Sequence, residues 1–203
     1  MNRTTVPSHR DYTGSKIGMW LFLFTEFFLF FGPILLYTIF RFRYPQAFIG
    51  ASLSLDTGVG VFNTALLLTS SLTMALSITA MQRGKRGATL VLLVATVLAG
   101  AVFLVNKYFE WGEKISHGVY PGGEALEGMK DGGAVFYGLY FFATGLHGIH
   151  VLAGMVIITV AALLVHEGRI NSKDFVKLEN TGLYWHLVDV IWIYLFPIFY
   201  LVR

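Results

Sequence analysis

Ionisable side chains are scarce in this 203-residue sequence, and several of them interrupt long apolar runs. Glu26 lies within Phe24-Thr25-Glu26-Phe27-Phe28. A carboxylate at such a depth in a bilayer costs about 2.5–3.5 kcal/mol on insertion scales, so it requires protonation or a partner. It reads either as a proton-relay or lipid-contacting group, or as a hydrogen bonder between helices. His147 and His150 share one helical face with Tyr137, Tyr140 and Thr144, interleaved with Gly138, Gly145, Gly148 and Gly154. His-x-x-His on one face invites a metal or haem reading, because imidazole is a common ligand. The supporting ligands are missing: a bundle metal site draws on converging Glu-x-x-His pairs, and none occurs here. Structural hydrogen bonding is the expectation for both histidines. His186 and Asp189, at i and i+3, can bond each other or a neighbouring helix, and the flanking Trp185 and Trp192 read as packing or interface residues.

Five further positions have weaker chemistry. Asn63, Ser70 and Ser77 recur every seven residues and draw a narrow polar stripe suited to a helix interface. Glu110, beside Trp111 and Glu113, closes an apolar run where a carboxylate can stay hydrated. Glu179 precedes the last apolar run, and with Arg169, Lys173 and Lys177 nearby it suits a lipid-headgroup site.

The elements that must position these groups are membrane helices. Apolar residues make up 55% of the chain and charged residues 13%, against roughly 45–50% and about 25% in soluble domains. That composition excludes a soluble enzyme. It supplies about five spans at about 20 apolar residues each, and the runs are continuous rather than alternating, which favours helices over a β-barrel. The expected fold is all-α and polytopic, with five transmembrane helices in one bundle: spans at 17–40, 58–81, 88–111, 133–166 and 181–202. Residues 1–15 form a polar N-terminal segment, and 16–203 form the transmembrane domain. The first run is too long for a signal-peptide core and lacks a small-residue cleavage site. The Gly112–Gly132 connection, centred on Tyr120-Pro121-Gly122-Gly123, reads as irregular backbone. With no cysteine, disulfides and thiolate chemistry are excluded, and the modest net charge of +3 includes no nucleic-acid patch.

Five spans put the termini on opposite sides. One side collects Arg3, Arg10, Lys16, Arg83, Lys85, Arg86, Arg169, Lys173 and Lys177; the other collects Arg41, Arg43, Lys107, Lys114, Lys130 and Arg203, with Asp56, Glu110, Glu113, Glu124, Glu127 and Asp131 beside them. The positive-inside rule then sets the N-terminus in the cytoplasm and the C-terminus outside.

Four segments, in order along the chain, resemble subunit III of the haem-copper oxidases: Gly18-Met19-Trp20 through Glu26, Phe62-Asn63-Thr64 through Ser70, Ala143-Thr144-Gly145-Leu146-His147-Gly148-Ile149-His150, and Tyr184-Trp185-His186-Leu187-Val188-Asp189-Val190-Ile191-Trp192. The resemblance runs from Lys16 over nearly the whole chain. It implies a subunit without catalytic, cofactor-binding or metal residues of its own, with haem and copper carried by partner subunits of a proton-pumping terminal oxidase of aerobic respiration. The implied partners are subunit I, subunit II, a small subunit and membrane lipids. The implied role is to stabilise subunit I, proton uptake and bound phospholipid, in a bacterial cytoplasmic membrane. Glu26 falls on the family's membrane-buried glutamate, and Glu110, His147, His150, Glu179, His186 and Asp189 on its recurrent polar positions. Longer members carry two additional helices before the segment matching Gly18, so this chain looks like the five-helix bacterial form. An accessory subunit of a nitric oxide reductase shares the fold and is an alternative, as is an independent transporter or membrane cytochrome.

Overall fold

The computed structural model describes residues 12–127, 129 and 132–202, and among these seven helices follow one another. They are α1 (Tyr12–Arg43), α2 (Pro45–Leu53), α3 (Thr57–Gln82), α4 (Arg86–Ser116), α5 (Glu124–Glu127), α6 (Gly133–His166) and α7 (Val176–Tyr200). Five of them, α1, α3, α4, α6 and α7, are long and apolar enough to cross a membrane, which is the expected five-span bundle. Residues 1–11 of the polar N-terminal segment lie outside the described residues, as do Gly128, Lys130, Asp131 and Arg203.

Local chemistry explains where the elements begin and turn. Asp56 caps α3, its Oδ1 accepting from the amides of Gly58 and Val59. Gly84, at φ 71°, turns α3 back into α4 as the Lys85 amide reaches the Ala80 carbonyl. The sequence reading differs from the structure in three places. The connection after the first span contains α2, which starts with Pro45 at its first turn and buries Phe48, Ala51 and Ser52. Helix α4 runs five residues past Trp111, to Ser116, so the long connection begins later than Gly112 and holds the short α5. Helix α7 starts at Val176 rather than Thr181, because an Asn171 side chain that accepts from the amides of Lys173 and Asp174 closes the preceding turn.

Helix α7 is the hub of the bundle, packing against α1, α2, α3 and α6, whereas α1 is the most peripheral span. In lipid, apolar side chains gain little by leaving the solvent, so association rests on close packing and interhelical hydrogen bonds. Trp185 and Trp192 of α7 are fully buried with Phe30, Phe103, Phe136, Tyr140 and Phe199. Two glycines make room for Trp185: an added Cβ at Gly100 or Gly154 would lie 2.9 and 2.8 Å from its ring. Gly145 admits Trp111 at 3.0 Å, whereas Gly138 faces open space.

Candidate functional site

The strongest polar constellation lies where α4, α6 and α7 meet, and it is centred on a lysine. Lys107, 7% exposed, donates from Nζ to Glu110 Oε2 at 3.1 Å and to the Tyr140 and Tyr200 hydroxyls at 2.9 Å each. Both phenols also donate to Glu110 Oε1, Tyr140 at 2.5 Å and Tyr200 through a very short bond. Lys107 and Glu110 are one helical turn apart on α4, so the ion pair is local, while the phenols arrive from the other two helices. All three ammonium donors are used and both carboxylate oxygens are engaged. Such a cluster locks three helices in register. The expectation of a hydrated Glu110 is overturned: the carboxylate is buried, because the Lys107 charge and two phenol donors replace water. Lys107, counted in the sequence as a topology charge, is buried too and flags no loop.

Glu26 and His150 form the second constellation. His150 Nε2 lies 2.8 Å from Glu26 Oε2, joining α6 to α1, and its Nδ1 lies 2.7 Å from the Leu146 carbonyl. A carbonyl only accepts, so Nδ1 carries a proton. The contact at Nε2 then holds a second proton, on the carboxyl or on the imidazole, and the pair is neutral overall in either arrangement. Phe30 stands edge-on to the imidazole with ring centroids 5.1 Å apart. This neutrality meets the demand that a carboxyl among phenylalanines raised in the sequence.

His147 departs from expectation. It is fully buried, edge-on to Phe103 at 5.5 Å and tilted over Trp192 at 5.2 Å, and neither ring nitrogen finds a hydrogen-bond partner. Hydrogen bonding therefore describes His150 and not His147, because the helix faces opposite His147 present aromatic rings. No group of three His, Cys, Asp or Glu side chains converges as metal ligands among the described residues.

A ladder of single hydrogen bonds fastens α3. Asn63, Ser70 and Ser77 are all buried, as the seven-residue stripe requires. Asn106 of α4 donates to Asn63 at 2.8 Å, and Trp185 Nε1 donates to Ser70 at 3.0 Å. Trp192 Nε1 donates to Thr64, and Ser71 bonds His186 Nδ1 at 2.7 Å. His186 thus bonds α3 rather than Asp189. The Asp189 carboxyl is buried beside the Ser71 hydroxyl, which bonds His186. At the N-terminal ends of α1 and α7, Glu179 pairs with Lys16 at 2.9 Å; the ion pair to Arg169 is made by Glu167 instead. The sequence reading misses Asn106, Ser71 and Tyr200, and it gives Lys107 only as a topology charge. Lys107 and Glu110 at i and i+3 gave the one signal that could have found the cluster.

A family model described as "Cytochrome c oxidase subunit III" matches residues 5–202. The chain belongs to the cytochrome c oxidase subunit III family. Three relatives mark the breadth of that family. The chain is 30% identical over 203 residues to a probable quinol oxidase subunit 3 of Staphylococcus haemolyticus, covering 98% of this chain and 95% of that protein. It is 32% identical over 143 residues to cytochrome c oxidase subunit 3 of Yarrowia lipolytica, covering 69% of this chain and 47% of the other. It is 28% identical over 202 residues to a heme-copper oxidase subunit I+III of Aeropyrum pernix, covering 96% of this chain. The chain spans about a quarter of the Aeropyrum protein and about half of the Yarrowia one. Membership explains why the subunit III resemblance extends past the four motifs to both ends of the bundle, and the membrane spans make this a multi-pass membrane protein.

Proposed function

We propose that the chain is a non-catalytic subunit of a haem-copper terminal oxidase, held against the catalytic subunit I in a bacterial cytoplasmic membrane. The observation that carries this reading is the family match over residues 5–202. The Aeropyrum relative, named as subunit I+III, supports the lateral pairing with subunit I, and subunit II and a small subunit complete the complex. Haem and copper belong to those partners, and this chain contributes rigidity, its buried Lys107 and Glu110 tying α4 to Tyr140 of α6 and Tyr200 of α7. The N-terminus faces the cytoplasm. The burial of Lys107 removes one positive charge from the opposite side and sharpens the asymmetry on which that orientation rests.

Affinity capture through an N-terminal tag in mild detergent is expected to recover a haem-bearing subunit I in fixed ratio, with the chain alone showing no Soret band. Recovery of a haem-free homo-oligomer would refute the assignment. The absence of cysteine makes orientation directly measurable. A single cysteine at Tyr120 should react with an impermeant maleimide in intact spheroplasts, and one at Gly84 should not. The reverse pattern would invert the topology.

A further inference from the structure

On α7, Glu179, Leu183, His186 and Val190 fall at i, i+4, i+7 and i+11, one face of the helix, and that face lines a groove against α1. The mouth of the groove has a volume of about 320 Å³ and is bounded by Lys16 and Trp20 of α1, Ile78 of α3 and Glu179, Leu183 and His186 of α7. Lys16 is half-exposed and its ammonium lies 2.9 Å from Glu179, so this end of the groove meets water. His186, two helical turns further in, is only partly buried. Its Nδ1 lies 2.7 Å from the Ser71 hydroxyl of α3, which leaves Nε2 for the groove. Asp189 follows one turn beyond His186, 2% exposed and beside the same Ser71 hydroxyl. The ten residues of helix from Glu179 to Asp189 measure about 15 Å at about 1.5 Å per residue, half of a hydrocarbon core about 30 Å thick.

Ser71 therefore stands between an imidazole that opens to the groove and a carboxyl that does not. A hydroxyl donates one proton while accepting another, and an imidazole does the same at its two nitrogens, so the three groups form a line of exchangeable protons. We infer that Asp189 is a proton-storing carboxyl, filled and emptied from the mouth of this groove through His186 and Ser71. In the filling step a proton from the mouth binds His186 Nε2, the Nδ1 proton passes to Ser71 Oγ, and the Ser71 hydroxyl proton passes to an Asp189 oxygen. One proton enters and one carboxylate is neutralised; the imidazole ends as its other tautomer, and the reverse transfer restores it and empties the store. Beyond Asp189 the line stops, because Trp192, Leu195, Phe196 and Phe199 fill the following turns of α7 and are buried. The relay is a dead end that holds a proton at mid-membrane with access from one side, and it does not carry the proton across.

The test uses the full chain in detergent micelles, moved rapidly from H2O into D2O while infrared absorption follows the protonated carboxyls. The band that vanishes in Asp189→Asn belongs to Asp189. Labelling aspartate with carbon-13 identifies the same band without a variant, and so covers the case in which Asp189→Asn misfolds, since Asp189 is the one aspartate inside the five spans among the described residues. The carboxyl is expected to exchange its proton for deuterium in the parent chain. His186→Phe and Ser71→Ala should each slow that exchange about 10²-fold, the low end of what a positioned acid–base side chain contributes. Added imidazole should restore the rate in His186→Gly, because the groove has room for the free ring beside Ser71, and should do nothing for Ser71→Ala. A rescued rate also shows that the His186 variant is folded. An Asp189 that gives no protonated band, exchange that His186→Phe and Ser71→Ala leave unchanged, or a slowed rate that imidazole fails to restore would overturn the proposal.

Discussion

Removing the Lys107 ammonium is the sharpest perturbation that the structure offers. Lys107→Met keeps the length of the aliphatic stem and deletes three donors at once. Glu110 then retains the Tyr140 and Tyr200 bonds at Oε1 and loses its partner at Oε2. A hydrogen bond to a charged group contributes about 1.5–3 kcal/mol, and breaking one side of a buried pair costs about 3–5 kcal/mol. The single variant is expected near that range, a fall of roughly two to three and a half decades in the folding equilibrium constant at about 1.4 kcal/mol per decade. Replacing both charges, Lys107→Met with Glu110→Leu, should cost clearly less than the sum of the two single changes. The buried ion leaves in that variant, and the two phenols, 3.4 Å apart, can turn toward each other. The assay is reversible unfolding in mixed micelles followed by the fluorescence of Trp185 and Trp192, both fully buried. Single variants each within 1 kcal/mol of the parent, or a double variant equal to the sum, would refute the claim that this cluster joins α4, α6 and α7.

Glu26→Gln should cost under about 1 kcal/mol, because its amide can donate to His150 Nε2, while Glu26→Leu should cost about 1.5–3 kcal/mol; equal losses in the same unfolding assay would exclude the shared-proton pair. His147→Phe should be neutral or stabilising, since it removes ring nitrogens that lack partners, and a loss above about 2 kcal/mol would show that the imidazole makes a bond the structure does not. Gly154→Ala should cost about 1–3 kcal/mol by forcing Trp185 aside, whereas Gly138→Ala should be neutral; the difference in unfolding midpoint between the two checks the close approach.

The number and order of the spans were legible because a membrane helix declares itself by apolar run length, and each of the five runs lies within a helix of the structure apart from the last two residues of 181–202. Helix α2 was not legible, because nine residues next to a long span leave no independent run and its start depends on Pro45 and on packing of Phe48 into the core. Glu26, Asn63, Glu110, His150 and His186 are legible as polar positions, but not their pairings. Glu26 and His150 are separated by 124 positions, and nothing in either segment names the other. The error at Glu110 has a definite cause: the apolar run ends at Trp111 and so points to a water-facing end there, whereas α4 continues to Ser116 and carries Glu110 inside the packed bundle.

The pairings follow a common logic. Where lipid and side chain are equally apolar, burial alone does not choose one helix register over another, and a hydrogen bond with a fixed partner does. Asn63–Asn106 and Thr73–Thr96 set α3 against α4, the two tryptophan donors and Ser71–His186 set α3 against α7, and the Lys107 cluster sets α4, α6 and α7 together. Helix α1 has fewer such contacts: Glu26–His150 to α6, then Tyr37 to the Ile198 carbonyl at 2.6 Å, Lys16–Glu179 and Ser15–Asn180 to α7. Its outer face is a run of exposed aromatic side chains, Trp20, Phe24, Phe28 and Phe31 among them. With the fewest internal restraints of any span, α1 is the element whose placement depends most on what packs against it from outside the chain. Loss of the Glu26 contact should therefore loosen α1 before it loosens the α3–α4–α6–α7 core, and hydrogen exchange should rise first in α1 of the Glu26→Leu protein while the amides around Trp185 and Trp192 stay protected.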